Sequence, residues 1–494
     1  MTVEQPGTGV GLPQAHTGSS YFHQLLVRAC ESFPELAQAQ LPAEARSFKQ
    51  RFSELLPRFE AARRASPARL EIARFLVREA ERELTFSDAA GTRGLDEVMA
   101  SPSEPLPWVK VDLPGPGRLM PSVSFEGRLH QSARLLGLAA ELEAKRWMTP
   151  AARDALAWIN ERAQDERGLS LRGERFVLLG AAAELSPVEL LLAAGAEVLW
   201  IDLREPGVDL LLAPRLGGSL RYVRGGANLL TAPHAIAATV RRFAAEGAPV
   251  HLGMYAYAGG ESQEWRLTAS MNAIARNLPR SVLASCTMLI SPTSPGGVCA
   301  EDFAHAQKQK AEAPRWMRSL FATRQLRDGF ELGSASPVAR AIVKTQGVSY
   351  QAAQYFGKLL AAEAYAAFGN QLEPGAAPLT VSANVAPITA TRSLSHPVFE
   401  AAFLGAPAFH ILIAKPDATR TLATLLTLHD LVNPDAPGAA HGANGHGEPH
   451  GTRVLTQQIH GGVYSQPYAL EGCISVAALR GLTRKPGLAL GIFR

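Results

Sequence analysis

The stretch that most constrains the fold spans residues 175–202, RFVLLGAAAELSPVELLLAAGAEVLWID. Its apolar run at 176–179 is too short for a helix and ends at Gly180, which predicts a buried strand. A helical run follows, and a second apolar run at 198–201 ends in Asp202. Strand, turn, helix and strand within about thirty residues form a βαβ unit. The stretch therefore predicts a parallel sheet with a crossover helix.

The turn and the end of the second strand are where such a unit can hold a dinucleotide. Ser186 is expected to cap the crossover helix, with Pro187 in its first turn, and the helix stops at Gly195. A helix N-terminus binds a pyrophosphate, and an acid ending the second strand accepts from the adenosine ribose. Asp202 is that acid, and its charge favours NAD over NADP. Gly180, Ser186 and Asp202 are thus expected at a cofactor site, and an α/β protein without a nucleotide is the alternative.

The composition favours an ordinary globular protein without nucleic-acid, metal or membrane partners. The 494 residues allow two or three domains, and 47% are hydrophobic while 19% are charged. The net charge of +4 comes without a stripe of Lys and Arg, so nucleic-acid binding is not expected. The four cysteines lack metal-ligand spacing, no apolar run has membrane-spanning length, and the N-terminus lacks secretory-signal features. We expect a cytoplasmic protein with reduced thiols, no bound metal and no membrane span.

The pattern of apolar residues divides the chain into five segments. Helical spacing recurs in the first third, and strands and helices then alternate around a mixed charged and aromatic stretch that we interpret as an insertion. The segments are a disordered N-terminus at 1–20, a helical N-terminal domain at 21–165, a Rossmann-like domain at 166–435 with the insertion at 299–345, a flexible His- and Gly-rich loop at 436–457 and an ordered C-terminal segment at 458–494. The N-terminal helices could form a separate domain or pack on the sheet. The expected fold class is α/β, a Rossmann-like doubly wound parallel sheet with a helical N-terminal segment.

Five motifs follow one another in the second half of the chain. They are YAYAGG at 255–260, SMNAI with Asn272, LISPTSPGG with Ser291 and Ser294, YQAAQYFGKLLAAEAYAAFG beginning at Tyr350, and VSANVAPITATR at 381–392. In this order they resemble landmarks of the short-chain dehydrogenase/reductase superfamily, including its N-N-A-G strand end and its V-N-x-V-A-P-G-x-x-x-T segment. The resemblance covers roughly residues 174–410.

The resemblance implies an NAD(P)-dependent oxidoreductase that transfers hydride to or from a carbonyl or alcohol. Tyr350 would be the acid/base, with Ser291 polarising the oxygen and Asn272 at the family's structural and catalytic asparagine. Gly259 would lie beside the cofactor, at the strand end. An apolar, acyl-derived substrate is inferred from the aliphatic stretch at 398–413, where the family covers its substrate. The family also implies a homo-oligomer formed through the Tyr350 helix.

One departure from the family concerns the lysine that should follow the tyrosine by four residues. A nearby ammonium lowers the pKa of the phenol, and positions i and i+4 share a helix face. Here Gln354 is at that position, and it can hold a ribose hydroxyl but supplies no charge. Lys358, two turns after Tyr350, resembles the longer Tyr-to-Lys spacing of enoyl-ACP reductases, and a Tyr355–Lys358 pair is the other option.

Two further interpretations stay open. The GAAAELS turn is similar to the G-x-x-x-x-x-S turn of enoyl reductases, so reduction of a carbon–carbon double bond is one alternative. The other is a catalytically inactive Rossmann-fold binding or assembly subunit. Glu184 and Ser186 stand where G-x-x-x-G-x-G needs glycines, and this absence and Gln354 both favour a protein that has lost catalysis.

Overall fold

Seven strands form the central sheet, six of them parallel, in a computed structural model that describes residues 8–14, 16–260, 262–333, 336–394, 396–440 and 450–488. Four short sheets or strand pairs accompany it. The strands are β1 (Gly9–Gly11), β2 (Thr85–Asp88), β3 (Gly91–Gly94), β4 (Trp108–Asp112), β5 (Ser122–Phe125), β6 (Arg128–Gln131), β7 (Arg175–Leu179), β8 (Glu197–Ile201), β9 (Ser219–Val223), β10 (Val250–Met254), β11 (Leu283–Ile290), β12 (Phe330–Glu331), β13 (Val338–Ala339), β14 (Thr380–Val385), β15 (Ile388–Thr389) and β16 (Ile413–Ala414).

The strand order confirms the predicted α/β class with a Rossmann-like doubly wound sheet. The order is β4-β9-β8-β7-β10-β11-β14, and all neighbours from β9 to β14 are parallel. Numbered along the chain, the parallel strands read 3-2-1-4-5-6, the order of doubly wound nucleotide-binding sheets. The direction of winding therefore changes between β7 and β10. The crevice at this switch point, outside the carboxyl ends of the strands, is where such sheets bind ligands.

Helices cover both faces of the sheet. They are α1 (Gly18–Ser32), α2 (Ala45–Ala65), α3 (Arg69–Arg82), α4 (Leu95–Ala100), α5 (Ala133–Ala144), α6 (Pro150–Asp165), α7 (Val188–Ala193), α8 (Val208–Leu211), α9 (Pro233–Ala245), α10 (Gln263–Asn277), α11 (Ala300–Ala311), α12 (Arg315–Ala322), α13 (Val348–Gln354), α14 (Ala361–Phe368), α15 (Pro397–Gly405), α16 (Pro416–Val432), α17 (His450–Arg453) and α18 (Leu470–Arg484). A π-helical segment, Tyr355–Leu360, joins α13 to α14.

The alternation of side chains along β7 explains why the sheet has two cores. Val177 and Leu179 point to the face covered by α9, α10 and the α13–α14 helix, while Phe176 and Leu178 point to the face covered by α5, α6, α7 and α16. All four side chains are buried, as a parallel sheet with helices on both faces requires. None of the helices in the described ranges is both long and apolar enough to cross a membrane.

The N-terminal helices pack on the Rossmann-like core, which settles the alternative left open above. Tyr21 stacks on Trp265 of α10 with ring centroids 5.3 Å apart, and Phe22 meets Phe356 edge-on at 4.8 Å. Their side chains belong to the same continuous core as the sheet. Helices α1 to α3 thus form an additional layer over α10 and the α13–α14 helix.

A buried ion cluster fixes this extra layer. Arg63 of α2 is fully buried and binds Glu60 on one side and Glu363 of α14 on the other, each at 2.7 Å. The layer covers the helix through which the family resemblance implied a homo-oligomer. From Val348 to Phe368 the side chains are buried or half-buried, so this helix offers no free outer face to a second copy. The homo-oligomer stays a prediction.

Several expected segment features change in the structure. The N-terminus, expected to be disordered over 1–20, forms β1 at Gly9–Gly11, and Val10 is fully buried with its N–H bonded to the carbonyl of Leu230. The insertion folds as α11, α12 and the β12–β13 hairpin. In the expected flexible loop at 436–457, residues 441–449 lie outside the described residues, and α17 begins at His450.

Candidate functional site

The turn after β7 requires a glycine. Gly180 has φ of +90°, and a Cβ there would collide with the backbone of Ala256. The collision arises because the chain leaving β10 crosses the end of β7, where the N–H groups of Tyr255 and Ala256 both donate to the carbonyl of Leu179 at 2.8 Å. Only glycine tolerates this conformation and this close approach. The predicted tight turn is therefore present at the switch point.

Asp202 lies at the end of β8 and faces that turn. Its Oδ2 accepts a hydrogen bond from the N–H of Ala182 at 2.9 Å, and its Oδ1 accepts one from the N–H of Arg204 at 3.3 Å. Each carboxylate oxygen has a second lone pair, so both can also accept from hydroxyl groups. The next residue, Leu203, is 66% exposed and offers an apolar surface beside the acid. The end of β8 thus has a hydroxyl acceptor next to an exposed aliphatic side chain.

The crossover helix differs from the expectation. α7 begins at Val188 with Pro187 as its N-cap residue, so the predicted Ser186 cap is wrong. Pro187 takes the cap position because the chain makes a further turn, in which the N–H of Ser186 donates to the carbonyl of Ala183. The Ser186 hydroxyl is buried and has no hydrogen-bond partner among the described residues. A six-residue helix is short for anion binding, so an anion at this turn would depend on side chains as well.

Charged side chains meet at the same turn. The carboxylate of Glu184 accepts from the N–H of Arg392 at 3.0 Å and pairs with the Arg392 guanidinium at 3.6 Å. Arg420 of α16 donates to the carbonyl of Glu184 at 3.2 Å. The turn that would meet a pyrophosphate therefore carries one acid and two neighbouring cations, and the side chain of Arg392 is 91% exposed.

The structure brings Ser291 and Tyr350 together at the same edge of the sheet. Ser291 follows β11, and its hydroxyl lies 2.7 Å from that of Thr293. Tyr350 lies in the first turns of α13 and is half-buried. Burial, together with the charge of Glu264, raises the pKa of the Tyr350 phenol, and the nearby hydroxyls of Ser291 and Thr293 oppose the rise. The phenol therefore holds its proton at neutral pH.

Gln354 and Lys358 share a helix face, as predicted, but that face meets an acid. The Gln354 amide accepts from the N–H of Ser291 at 3.1 Å and donates to Glu264 of α10 at 3.3 Å. The Lys358 ammonium lies 3.6 Å from the same carboxylate oxygen. Burial raises the pKa of Glu264, and Lys358 opposes the rise. Eight residues of helix span about 12 Å, so Lys358 supports Glu264 rather than the phenol of Tyr350.

Three other predicted residues lie elsewhere. Tyr355 is fully buried and donates to Glu60 of α2 at 2.6 Å, which removes the Tyr355–Lys358 pair as an option. Asn272 is fully buried between helices, where its amide donates to the carbonyl of Gly357 at 2.9 Å, so it acts as a helix-to-helix contact. Gly259 is exposed with open space around it, and nothing there requires a glycine.

The sequence did not reveal Glu264 and Thr293 as members of the site. An acid in the first turn of a helix reads as an ordinary surface residue, and Thr293 lies in a proline-rich turn. Glu264 nevertheless joins the loop after β10, the Gln354 amide and Lys358. The burial of Glu264 could not be predicted from the local sequence, because its partners Gln354 and Lys358 lie about ninety positions away along the chain.

A hydrogen-bonded Ser–His–Glu set at the amino ends of the strands was also not predicted. His251 lies 2.9 Å from the Ser285 hydroxyl and 3.0 Å from the Glu174 carboxylate. Ser285 is fully buried in the middle of β11, so its hydroxyl cannot reach a substrate. These three residues connect neighbouring strands through hydrogen bonds and do not form a nucleophilic centre.

The residues at the carboxyl edge of the sheet fit the adenosine end of a dinucleotide cofactor. At the turn after β7, where its phosphates would lie, they include both acidic and basic side chains. Asp202 and Leu203 suit a ribose and an adenine, and the unpaired hydroxyl of Ser186 suits a phosphate oxygen. Arg392 and Arg420 add positive charge that offsets the charge of Glu184.

No family model matches this chain, and no curated protein matches it either. A functional assignment therefore depends on the residues and geometry of the crevice.

Proposed function

We propose that the protein is an NAD(P)-dependent oxidoreductase of the short-chain dehydrogenase/reductase type, acting on an apolar or acyl-derived substrate. The observation that supports this most is that the Tyr350 phenol lies near the Ser291 hydroxyl beside the end of β11. Because parallel strands end at one edge, these hydroxyls share an edge with Gly180 and Asp202. A proton donor, a second oxygen-binding hydroxyl and a ribose acceptor around one crevice are what hydride-transfer chemistry needs from a protein.

The raised pKa of Tyr350 favours reduction over oxidation. A phenol that keeps its proton can deliver it to a carbonyl oxygen as that oxygen gains negative charge. Ser291 would hold the same oxygen, and the Thr293 hydroxyl, 2.7 Å from that of Ser291, would help to orient it. Alcohol oxidation needs a tyrosinate, which burial and the carboxylate of Glu264 both disfavour.

The cofactor would contribute the hydride. This chain would contact the ribose, the adenine and the pyrophosphate of the cofactor. Asp202 would accept from the adenosine ribose, with Leu203 against the adenine, and NAD would be preferred over NADP because of the Asp202 charge. Ser186 and Arg392 would contact the pyrophosphate. The Ser186 hydroxyl also favours the variant in which an activated carbon–carbon double bond is reduced, since there a serine replaces the glycines of the phosphate turn.

A second candidate is a Rossmann-fold subunit that has lost catalysis and serves in binding or assembly. The carboxylate of Glu184 at the phosphate turn favours it. So does the ion pair of Lys358 with Glu264, because it leaves Tyr350 without a cation to lower its pKa. The two candidates differ in one measurable property, which is affinity for a nicotinamide cofactor.

Titration of the full-length protein with NADH and with NADPH, followed by tryptophan fluorescence quenching, tests the proposal. We expect NADH to bind more tightly than NADPH, and Asp202→Arg to weaken NADH binding by about tenfold or more, as loss of a charge-assisted hydrogen bond predicts. Asp209→Arg changes an exposed acid of α8 in the same way and should leave the affinity unchanged. Absence of binding of both cofactors at millimolar concentration would reject the oxidoreductase and favour the non-catalytic subunit.

A further inference from the structure

A cavity of about 340 Å³ lies where three segments outside the central sheet meet. The insertion contributes Trp316 of α12, the turn after α15 contributes Phe409, and the C-terminal segment contributes Tyr468 and Arg480. This volume is within the range of small-molecule sites. No residue of the crevice at β7, β8 and β11 described above lines it. The cavity is therefore separate from the proposed cofactor site.

Aromatic side chains line the cavity, and hydrogen bonds fix the backbone that carries them. Trp316 and Phe409 meet edge-on with centroids 5.7 Å apart, and Phe409 and Tyr468 are each 2% exposed. The buried amide of Gln466 donates to the carbonyl of Phe409, and the indole N–H of Trp147 donates to that of His410 at 2.7 Å. The wall is thus formed before any ligand arrives, which reduces the entropy lost on binding.

Arg480 supplies a cation at this wall. Its guanidinium carbon lies over the ring of Trp316, 5.1 Å from the centroid, at cation–π distance. No acidic partner for Arg480 is found within the described part of the chain. The next two cations along the chain are both engaged: Arg484 at the end of α18 donates to the carbonyl of Leu404, and Lys485 after the helix pairs with Glu400. The Arg480 guanidinium makes no hydrogen bond with the described residues, so its N–H groups are available, and their geometry matches a carboxylate.

The charges of the lining favour a ligand with a single negative charge. Glu312 also lines the cavity and is exposed, without an ion pair to Arg480. Its carboxylate would repel a second anionic group. Flat aromatic walls favour a planar or aromatic body through offset or edge-on contacts.

We propose that this cavity is a binding site for small monocarboxylates with a flat apolar body, with the carboxylate on Arg480 and the body against Trp316, which the buried rings of Phe409 and Tyr468 support. The site is independent of the cofactor crevice, so it stands whether or not NADH binds. Charge-assisted, paired hydrogen bonds to the guanidinium would provide the selectivity for a carboxylate.

Isothermal titration calorimetry of the full-length protein with phenylacetate and with phenylacetamide tests the site. The two probes share shape and differ in charge, so we expect phenylacetate to bind at least about tenfold more tightly. Arg480→Gln should remove this preference. Arg315→Gln, which changes an exposed arginine beside the same wall, should keep it.

Three outcomes would overturn the proposal. They are equal binding of the two probes, an unchanged preference in Arg480→Gln, and no binding of phenylacetate at millimolar concentration. Trp316→Leu serves as the second variant, since it should weaken both probes alike through loss of the aromatic wall. Circular dichroism of each variant establishes that the fold is retained, so loss of binding in a folded variant reports on the cavity.

Discussion

Asp430 of α16 provides a stability prediction that can be worked out from the structure. The carboxyl is 2% exposed, and no cation pairs with it among the described residues. Its Oδ2 accepts from the Ser382 hydroxyl at 2.7 Å, and its Oδ1 accepts from the Gln457 amide at 2.7 Å and from the N–H of Gly438 at 3.2 Å. Burial raises the pKa of Asp430 from 3.8 to about 7, although these hydrogen bonds oppose the rise.

The magnitude follows from the difference between the folded and unfolded pKa. A rise from 3.8 to about 7 corresponds to about 4 kcal/mol of difference between the protonated and ionised forms. Because the folded pKa is the higher one, this stabilisation is fully present below about pH 4 and is lost as the pH rises through about 7. Between pH 5 and pH 8 the group alone should lower the free energy of unfolding by about 3 kcal/mol.

Asp430→Asn is the perturbation, because the amide keeps the shape and cannot ionise. Its oxygen can accept from Gly438 and Gln457, and its NH₂ can donate to the Ser382 hydroxyl. Urea unfolding at several pH values should show the variant gaining stability relative to the wild type by about 3 kcal/mol from pH 5 to pH 8. Asp435→Asn, at an exposed position shortly after α16, is the matched control and should follow the wild type. A constant difference between wild type and Asp430→Asn across this range would refute the reasoning.

Three further predictions concern the crevice. Gly180→Ala should lower the free energy of unfolding by about 2 to 4 kcal/mol, because the position has a positive φ and the new Cβ would collide with the neighbouring backbone. Thermal unfolding should show a lower Tm for this variant and an unchanged Tm for Gly259→Ala. Gln354→Ala leaves the partly buried N–H of Ser291 without its partner and should lower the free energy of unfolding by about 1 kcal/mol, measured by urea unfolding; full stability would show that the contact is dispensable. With Tyr350 intact, alcohol oxidation should accelerate as the pH rises above neutral while carbonyl reduction stays level, because the pKa of the phenol is raised; oxidation that is already maximal at neutral pH would contradict this.

The sequence could predict the elements whose signals are local. The βαβ unit follows from two apolar runs and one glycine, and the cap of α6 follows from Thr149, whose hydroxyl accepts from the N–H of Ala152 at 3.3 Å. The two hydroxyls at the carboxyl edge were predicted because Ser291 ends a strand and Tyr350 begins a helix. These features depend on neighbouring residues only, and a single sequence contains that information.

The rest could not be predicted because it depends on partners far along the chain. Strand β9 was not predicted, since its Arg221 looks like a surface residue and becomes buried only through ion pairs with Glu197 and Glu246. The orientation of Tyr355 depends on Glu60, which is 295 positions away. The burial of Asp430 could not be predicted from the sequence either, because the same helix also carries an exposed acid.

The central proposal is that a nicotinamide cofactor binds in the crevice at the switch point, with its adenosine end over the ends of β7 and β8. Hydrogen–deuterium exchange with and without NADH tests it directly. We predict slower exchange in peptides covering residues 180–186 and 202–204, which include the N–H of Ala182 that bonds to Asp202, and no such protection in Asp202→Arg. Protection elsewhere, or none at an NADH concentration that saturates any fluorescence change, would contradict the account.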